Sequence, residues 1–387
     1  MRNVMHLCIG SQGIPDGRYA EIDLPATPYR LLDALDELGI KSTEDITYKE
    51  VLDYGGFSYL EPYFNEGTSL EELNALAQKL STFDRVDTIA FEGMVKMAEQ
   101  KLEPLGMKEI INYAYSTDSC HVVSDVFDDE QLGRFYAGNG FMPEYENLPD
   151  NIYEHLDFAK IGRESREAEG GVYTQRGYVL REDEIVQAYD TLDLELKKPE
   201  YGVRLVLSSV EDGQCVELDL PATQDQIDQA LMRINLDSCE GAMLHDYDGP
   251  IWDLDIDLYE LNGLASLNEL AKVAQKLDAN GQLVKFKAVI AANDCHNVLE
   301  AINLADRLDD YCFHPALYSP ISIGREGIHA IASDADAALL SKHINLYAFG
   351  EEYMETCGFK LTDYGVVARN REQSLGQDEE PGPKMTM

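Results

Sequence analysis

Ile22-Asp23-Leu24-Pro25-Ala26-Thr27 comes back, almost letter for letter, as Leu218-Asp219-Leu220-Pro221-Ala222-Thr223. The residues after each copy keep step: Leu31, Ala34, Leu35 and Leu38 answer to Ile227, Ala230, Leu231 and Ile234. That spacing makes one apolar helical stripe in each copy. Thr27 predicts the cap of the first helix with Pro28 at its first position, and Thr223 with Gln226 predicts a capping box for the second. Gly39 and Asn235 stand where a left-handed residue ends a helix. Ser69-Leu-Glu-Glu72 and Ser266-Leu-Asn-Glu269 predict two further capping boxes, each opening a helix that carries Ala-Gln-Lys-Leu at 77–80 or 274–277. Ile111-Asn112 and Ile302-Asn303 follow, with Cys120 and Cys312 beyond them. Shared order at a nearly constant offset marks a duplication.

Two related modules result, 1–190 and 200–372, joined at the charged stretch Leu196-Lys197-Lys198-Pro199-Glu200. Each opens on an extended run, such as Val203-Arg204-Leu205-Val206-Leu207 ending at Ser208-Ser209, and continues in amphipathic helices. The expected class is α+β, with several small α/β domains in tandem. A chain of 387 residues is long enough for two or three cores. Residues 373–387 have almost nothing to bury and predict a disordered tail.

The net charge is −41, from 72 acids and 31 bases. Solubility asks a small domain for only about 2 to 8 charges in magnitude. The excess is not confined to a tail: residues 1–200 hold 40 acids and 18 bases, and residues 201–387 hold 32 and 13. The field therefore belongs to the folded body, where like charges oppose compaction. A partner with a strongly positive surface, above all one that grips nucleic acid, would give it a use. Hydrophobic content of 44%, with 22 Tyr and 12 Phe, argues against a disordered acidic chain. The start, MRNVMHLCIGSQG, has no secretory apolar run, and no stretch nears 18 consecutive apolar residues. Seven scattered cysteines, none spaced C-x-x-C, fit reduced thiols in the cytoplasm. DNA and membrane surfaces are anionic and should repel this chain.

Two stretches lack local compensation. Between Lys108 and Lys160 lie eleven acids and one base, Arg134; the set includes Asp125, Asp128, Asp129, Glu130, Glu144, Glu146, Asp150, Glu154 and Asp157. Between Arg204 and Lys272 lie fifteen acids and one base, Arg233, including Asp246, Asp248, Asp253, Asp255, Asp257 and Glu260. The alternating run Trp252–Leu258 would, as a strand, set Asp253, Asp255 and Asp257 on one face, about 6.6 Å apart. Such a row resembles a line of phosphates; an ordinary solvated sheet face explains it equally well. These fifteen named acids are the candidate partner-binding residues.

Other chemistry finds little footing. An EF-hand beginning at Asp253 would need Gly and Glu where Leu258 and Leu264 stand. Asp246-Tyr247-Asp248-Gly249 reads as an Asx/Gly turn. Cys120-His121 and Cys295-His296 lack partners at zinc spacing and read as core cysteines beside partly buried histidines. There is no P-loop, G-x-S-x-G elbow or H-E-x-x-H helix, and Gly170-Gly171 with Gly177 fails the dinucleotide pattern. No enzyme, cofactor or metal is expected. A metal-dependent hydrolase built on the Asp-rich run remains the weaker catalytic alternative.

Leu148-Pro149, His155-Leu156-Asp157-Phe158, Ile161-Gly162-Arg163-Glu164 and Gly170-Gly171-Val172-Tyr173 together resemble the closing segment of ArdA-type antirestriction proteins. His245-Asp246-Tyr247 and the helices at Leu73-Asn74 and Leu267-Asn268 add to the likeness. Module 2 carries Ile323-Gly324-Arg325-Glu326 and Leu361-Thr362-Asp363-Tyr364-Gly365 in a different arrangement. The resemblance implies an elongated acidic DNA mimic that blocks the DNA groove of a type I restriction-modification enzyme, protecting plasmid, transposon or phage DNA. It also implies a dimer of a shorter subunit, which leaves two arrangements open here, a homodimer or a single-chain counterpart. An acidic chaperone or adaptor for a basic nucleoid-type protein is the alternative from another class; it would need the field but not duplex geometry.

Overall fold

A computed structural model describes residues 2–11, 17–65, 67–101, 105–143, 145, 148–209, 213–252, 254–256, 258 and 263–370. The candidate tail at 373–387 lies outside them. The fold is mixed α+β and multi-modular, and its element order runs twice.

The first pass is β1 (Met5–Ser11), β2 (Arg18–Leu24), α1 (Pro28–Leu38), β3 (Ile46–Asp53), α2 (Leu70–Ser81), α3 (Arg85–Gln100), α4 (Met107–Ala114), β4 (Cys120–Ser124), α5 (Asp129–Gly138), α6 (Asp150–Tyr153), α7 (Phe158–Glu169), β5 (Val172–Tyr173) and β6 (Gly177–Arg181). The second is β7 (Val203–Ser209), β8 (Cys215–Leu220), α8 (Gln224–Arg233), β9 (Ala242–Asp248), α9 (Gly263–Ala279), α10 (Leu283–Ala292), α11 (Val298–Asp306), β10 (Tyr311–His314), α12 (Pro320–Ile331), α13 (Asp334–Leu340), α14 (Leu346–Cys357), β11 (Lys360–Thr362) and β12 (Gly365–Arg369). Among the described residues the strands form four three-stranded sheets in matching pairs: β2-β1-β3 with β8-β7-β9, and β4-β6-β5 with β10-β12-β11.

The punctuation sits where the sequence places it. Thr27 caps α1 and Gly39 ends it in the left-handed region at φ 68°. Ser69 with Glu72, and Thr223 with Gln226, form reciprocal capping boxes. Asn235 adopts φ 58° just beyond α8. Asn268 on α9 ties two repeated motifs together: its side-chain carbonyl accepts from the Ala222 N–H at 2.7 Å, and its amide donates to the Ala222 carbonyl at 2.9 Å.

Three expectations are corrected. Ser266 opens no helix, because α9 already starts at Gly263 and buries Leu264 on the same stripe as Leu267, Leu270 and Ala271. Leu254 and Leu258 are buried and Asp255 is exposed, as the alternation required. Yet no ladder forms among the described residues of that run; Asp255 makes only an isolated parallel bridge to Asn297. Asp246-Tyr247-Asp248 is strand rather than turn, paired with β7.

Close contacts divide the chain into two compact units. One comprises Met1–Leu7, Asp23–Pro25 and Val51–Glu195; the other Cys8–Ile22, Ala26–Glu50 and Leu196–Met387. The second unit holds a large core drawn from β7, β8, α8 to α11 and the last sheet. In the first, small clusters form around Leu132 and Tyr178, around Met97 and Val179, and around Phe158 and Ile161.

Candidate partner-binding surface

The described acids of the first stretch fall into two kinds. Asp128 and Asp157 cap α5 and α7, accepting the backbone N–H of Gln131 at 2.8 Å and of Lys160 at 3.0 Å. Such caps hold a carboxylate at the helix end where partial positive charge favours it. Asp125 pairs with Arg85 and Glu130 with Arg134, each at 2.8 Å and with both partners well exposed. Exposed pairs of this kind are weak, about 0–1 kcal/mol, so a cationic partner can compete for them. Glu154 is exposed. These five can present charge to a partner.

Asp129 cannot do so freely. Arg166 donates to it at 2.8 Å, Tyr173 at 2.9 Å, and Arg163 stands 3.5 Å away. The hydrogen bond from Arg166 holds its carboxyl below the usual range. It staples α7 and β5 to α5. Glu144 and Glu146 lie outside the described residues. Asp150 opens α6, and its side chain is not described.

In the second stretch the field is thinner than the composition suggests. Asp248 is only 7% exposed and accepts from the Tyr201 hydroxyl. It is a buried group beneath a tyrosine, not a displayed charge. Asp246 is half-buried and accepts the N–H of Tyr247 at 3.0 Å. Asp255 is exposed; Asp253, Asp257 and Glu260 lie outside the described residues.

A clearer row lies in the repeated motif itself. β2 alternates buried Ala20, Ile22 and Leu24 with exposed Tyr19, Glu21 and Asp23. β8 alternates Val216, Leu218 and Leu220 with Cys215, Glu217 and Asp219. Period-two alternation puts each acid pair on one face, and the signal stood in the sequence. The copies differ in how that face is answered. Arg204 on β7 grips Asp219 with two hydrogen bonds at 2.6 and 2.9 Å and stands 3.5 Å from Glu217. In the first module His6 occupies the matching place, its Nδ1 2.8 Å from Asp23, with the Asn3 amide donating at 3.1 Å. A guanidinium is permanently charged, whereas an imidazole is charged only when protonated.

Composition gave no hint that some acids lie in the core. Asp33 on α1 is 1% exposed. One of its oxygens accepts from Lys287 at 2.8 Å and from the Tyr364 hydroxyl at 2.9 Å. The other accepts from Arg30 at 2.7 Å and from the Trp252 ring N–H at 2.6 Å. Lys287, 4% exposed, also reaches Asp36 at 2.7 Å. Burial pulls the Lys287 ammonium down, but Asp33 and Asp36 outweigh it and the pKa ends raised. Burial raises Asp36 and lifts Glu37 to about 7, with Asp33 adding repulsion to Glu37 and Arg30 opposing it.

Cys295 is buried and Cys120 half-buried, but His121 and His296 are exposed, which corrects the reading of partly buried histidines. Among the described residues no three His, Cys, Asp or Glu side chains gather as a metal would require. No helix among them is long and apolar enough to cross a membrane.

Residues 212–373 match the family model of the antirestriction protein ArdA. No curated protein sequence matches the chain. The ArdA match begins just before β8 and runs past β12, so it takes in most of the second pass of elements and none of the first. Within it the likeness of Ile323-Gly324-Arg325-Glu326 to Ile161-Gly162-Arg163-Glu164 proves misleading. Gly324 lies on α12, the counterpart of α5 and its Gly133-Arg134; the counterpart of Gly162 is Gly350 on α14. In each pair two glycines let helices cross in contact. A Cβ would fall 1.9 Å from the Phe158 carbonyl oxygen at Gly133 and 1.9 Å from that of Asp129 at Gly162. In the ArdA-matching part it would fall 2.2 Å from the Leu346 oxygen at Gly324 and 1.8 Å from that of Pro320 at Gly350.

Proposed function

We propose that this chain is an antirestriction protein that occupies the basic DNA groove of a type I restriction-modification enzyme, displaying carboxylates where the enzyme expects phosphates. The observation that carries the reading is the ArdA match over 212–373, in a module whose element order and sheet pairing recur across the first half. The net charge of −41 supports it, since a groove that grips polynucleotide binds chiefly through phosphate neutralisation. No catalytic step is assigned; the chain acts by competition. Two tandem modules would let one chain stand in for a dimer of single modules.

The displayed set is Glu21, Asp23, Asp125, Asp128, Glu130, Glu154, Asp157 and Asp255, exposed in the fold. Association should be fast at low salt, up to about 10⁸–10⁹ M⁻¹s⁻¹, and weaken as salt screens the charges. The test is ATP-dependent cleavage of unmodified DNA by a type I enzyme, with and without the purified chain. Inhibition is expected, and an eight-fold Asp→Asn and Glu→Gln variant should lose most of it. Asn still caps α5 and α7, so the variant keeps its helix ends. Equal inhibition by that variant would overturn charge mimicry; no inhibition by the parent would overturn the antirestriction reading. Co-purification with a small basic protein instead of a DNA-processing enzyme would favour the chaperone alternative.

A further inference from the structure

The duplicated fold supplies its own control for a cleft in the second copy. In the second module, α10 packs on the sheet β10-β12-β11 and leaves a cleft of about 380 Å³. Its walls are Ala292, Tyr311, Val367 and Ala368, and its charged groups are Lys360 and Arg369. That volume lies within the range of small-molecule sites, roughly 300–1,000 Å³, and mostly apolar walls with a few polar groups are their usual composition.

The first module closes the same place. Strand registers fix the correspondence: Val172 pairs with Val179 as Lys360 pairs with Val367, and Cys120 pairs with Arg181 as Tyr311 pairs with Arg369. There Ile89, Met97, Val172 and Val179 form one buried cluster, with Cys120 and Val122 against it. Two changes open it in the second module. α3 has 16 residues and carries Met97 near its end; α10 has 10 and stops at Ala292, so no residue takes the place of Met97. Lys360 replaces Val172, and its ammonium donates to the Ala292 carbonyl at 2.6 Å, at the end of the shortened helix. Shortening a helix over an apolar sheet would ordinarily cost the burial of a methionine; here Lys360 enters the vacated space beside Arg369, a cation that both modules keep at this register as Arg181 and Arg369.

We propose that this cleft is a binding site for a small organic anion, a carboxylate or phosphate head on an apolar body. The head would lie against Lys360 and Arg369 and the body against Tyr311, Val367 and Ala368. This site is separate from the proposed groove-blocking surface, which needs negative charge where the cleft offers positive.

The probe is 1-anilinonaphthalene-8-sulfonate, an anion on an aromatic body, titrated into the full chain by fluorescence. One saturable site per chain is expected. Lys360→Val installs the first module's residue and should weaken binding at least tenfold while circular dichroism stays unchanged. Octanoate should displace the probe and inorganic phosphate at the same concentration should not. Non-saturating fluorescence, binding unchanged by Lys360→Val, or displacement by phosphate alone would each overturn the proposal. If a variant fails to fold, Arg369→Ser, at an exposed position, gives the same test and should also weaken the probe.

Discussion

Asp33 is the residue whose environment departs furthest from its place in the sequence. On a helical wheel it falls beside the stripe Leu31, Ala34, Leu35 and Leu38, where an acid is normally solvated. Instead four donors fill the four lone-pair sites of its carboxylate. Removing one side of a buried ion pair costs about 3–5 kcal/mol because the other charge is left unpaired. Lys287→Met leaves Asp33 paired with Arg30 but takes the ammonium from Asp36, so it should lower unfolding stability by at most about 3–5 kcal/mol, read from urea melts, and by clearly less in an Asp33→Asn background. Glu37 gives a pH signature. Its folded pKa, about 7, lies above the ordinary 4.5. The native state thus holds a proton that the unfolded chain releases. The stability from this group is fully present below about 4.5 and is lost as pH rises through about 7. Glu37→Gln should flatten the stability profile between those pH values and leave the mutant more stable than the parent at pH 8. A parent-minus-mutant difference independent of pH would refute it. None of this was legible in the sequence, because the partners Trp252, Lys287 and Tyr364 lie more than 200 positions away from Asp33.

Helix ends and strand faces were the legible elements. Thr27, Ser69 and Thr223 declare their helices because a cap is a local device, settled within four residues. Ser266 misled for the converse reason: a Ser-x-x-Glu spacing inside a helix looks the same as one at its start, and burial of Leu264 decides between them. The run 252–258 had the right alternation but no paired strand among its described residues, and a strand needs a neighbour that sequence periodicity does not supply. The glycine crossings were hidden too, since a lone glycine in a helical pattern reads only as a weak point. Gly162→Ala tests the crossing. Its Cβ would meet the Asp129 oxygen at 1.9 Å, so α5 and α7 must separate. Overpacking typically costs about 1–3 kcal/mol, and a backbone obstacle, unlike a flexible side chain, should bring the loss to the top of that range. Gly170→Ala, with open space around its Cβ but φ at 69°, should cost about 1 kcal/mol. A thermal melt that ranks the two in the opposite order would show that the helices do not depend on close approach.

At the scale of the whole chain, the same charge enters folding and binding with opposite sign. Composition revealed the field and its spread over both halves, but not how much of it the fold spends internally. Asp33, Asp129 and Asp248 are drawn inward, while the alternating acids of β2 and β8 and the caps of α5 and α7 face out. With most of 72 acids facing only 31 bases, repulsion among exposed carboxylates opposes compaction. Salt shortens its range from about 30 Å at 0.01 M to about 8 Å at 0.15 M. The urea midpoint should therefore climb as sodium chloride is raised from 0.01 to 0.5 M, most steeply at the low end, and climb less in the eight-fold neutralised variant. Inhibition of the restriction enzyme should fall over the same range, though the inhibitor is then at its most stable. That opposition separates charge mimicry from a fold-limited effect: if inhibition rises with salt alongside the midpoint, the carboxylates serve the fold and the partner is recognised by something else.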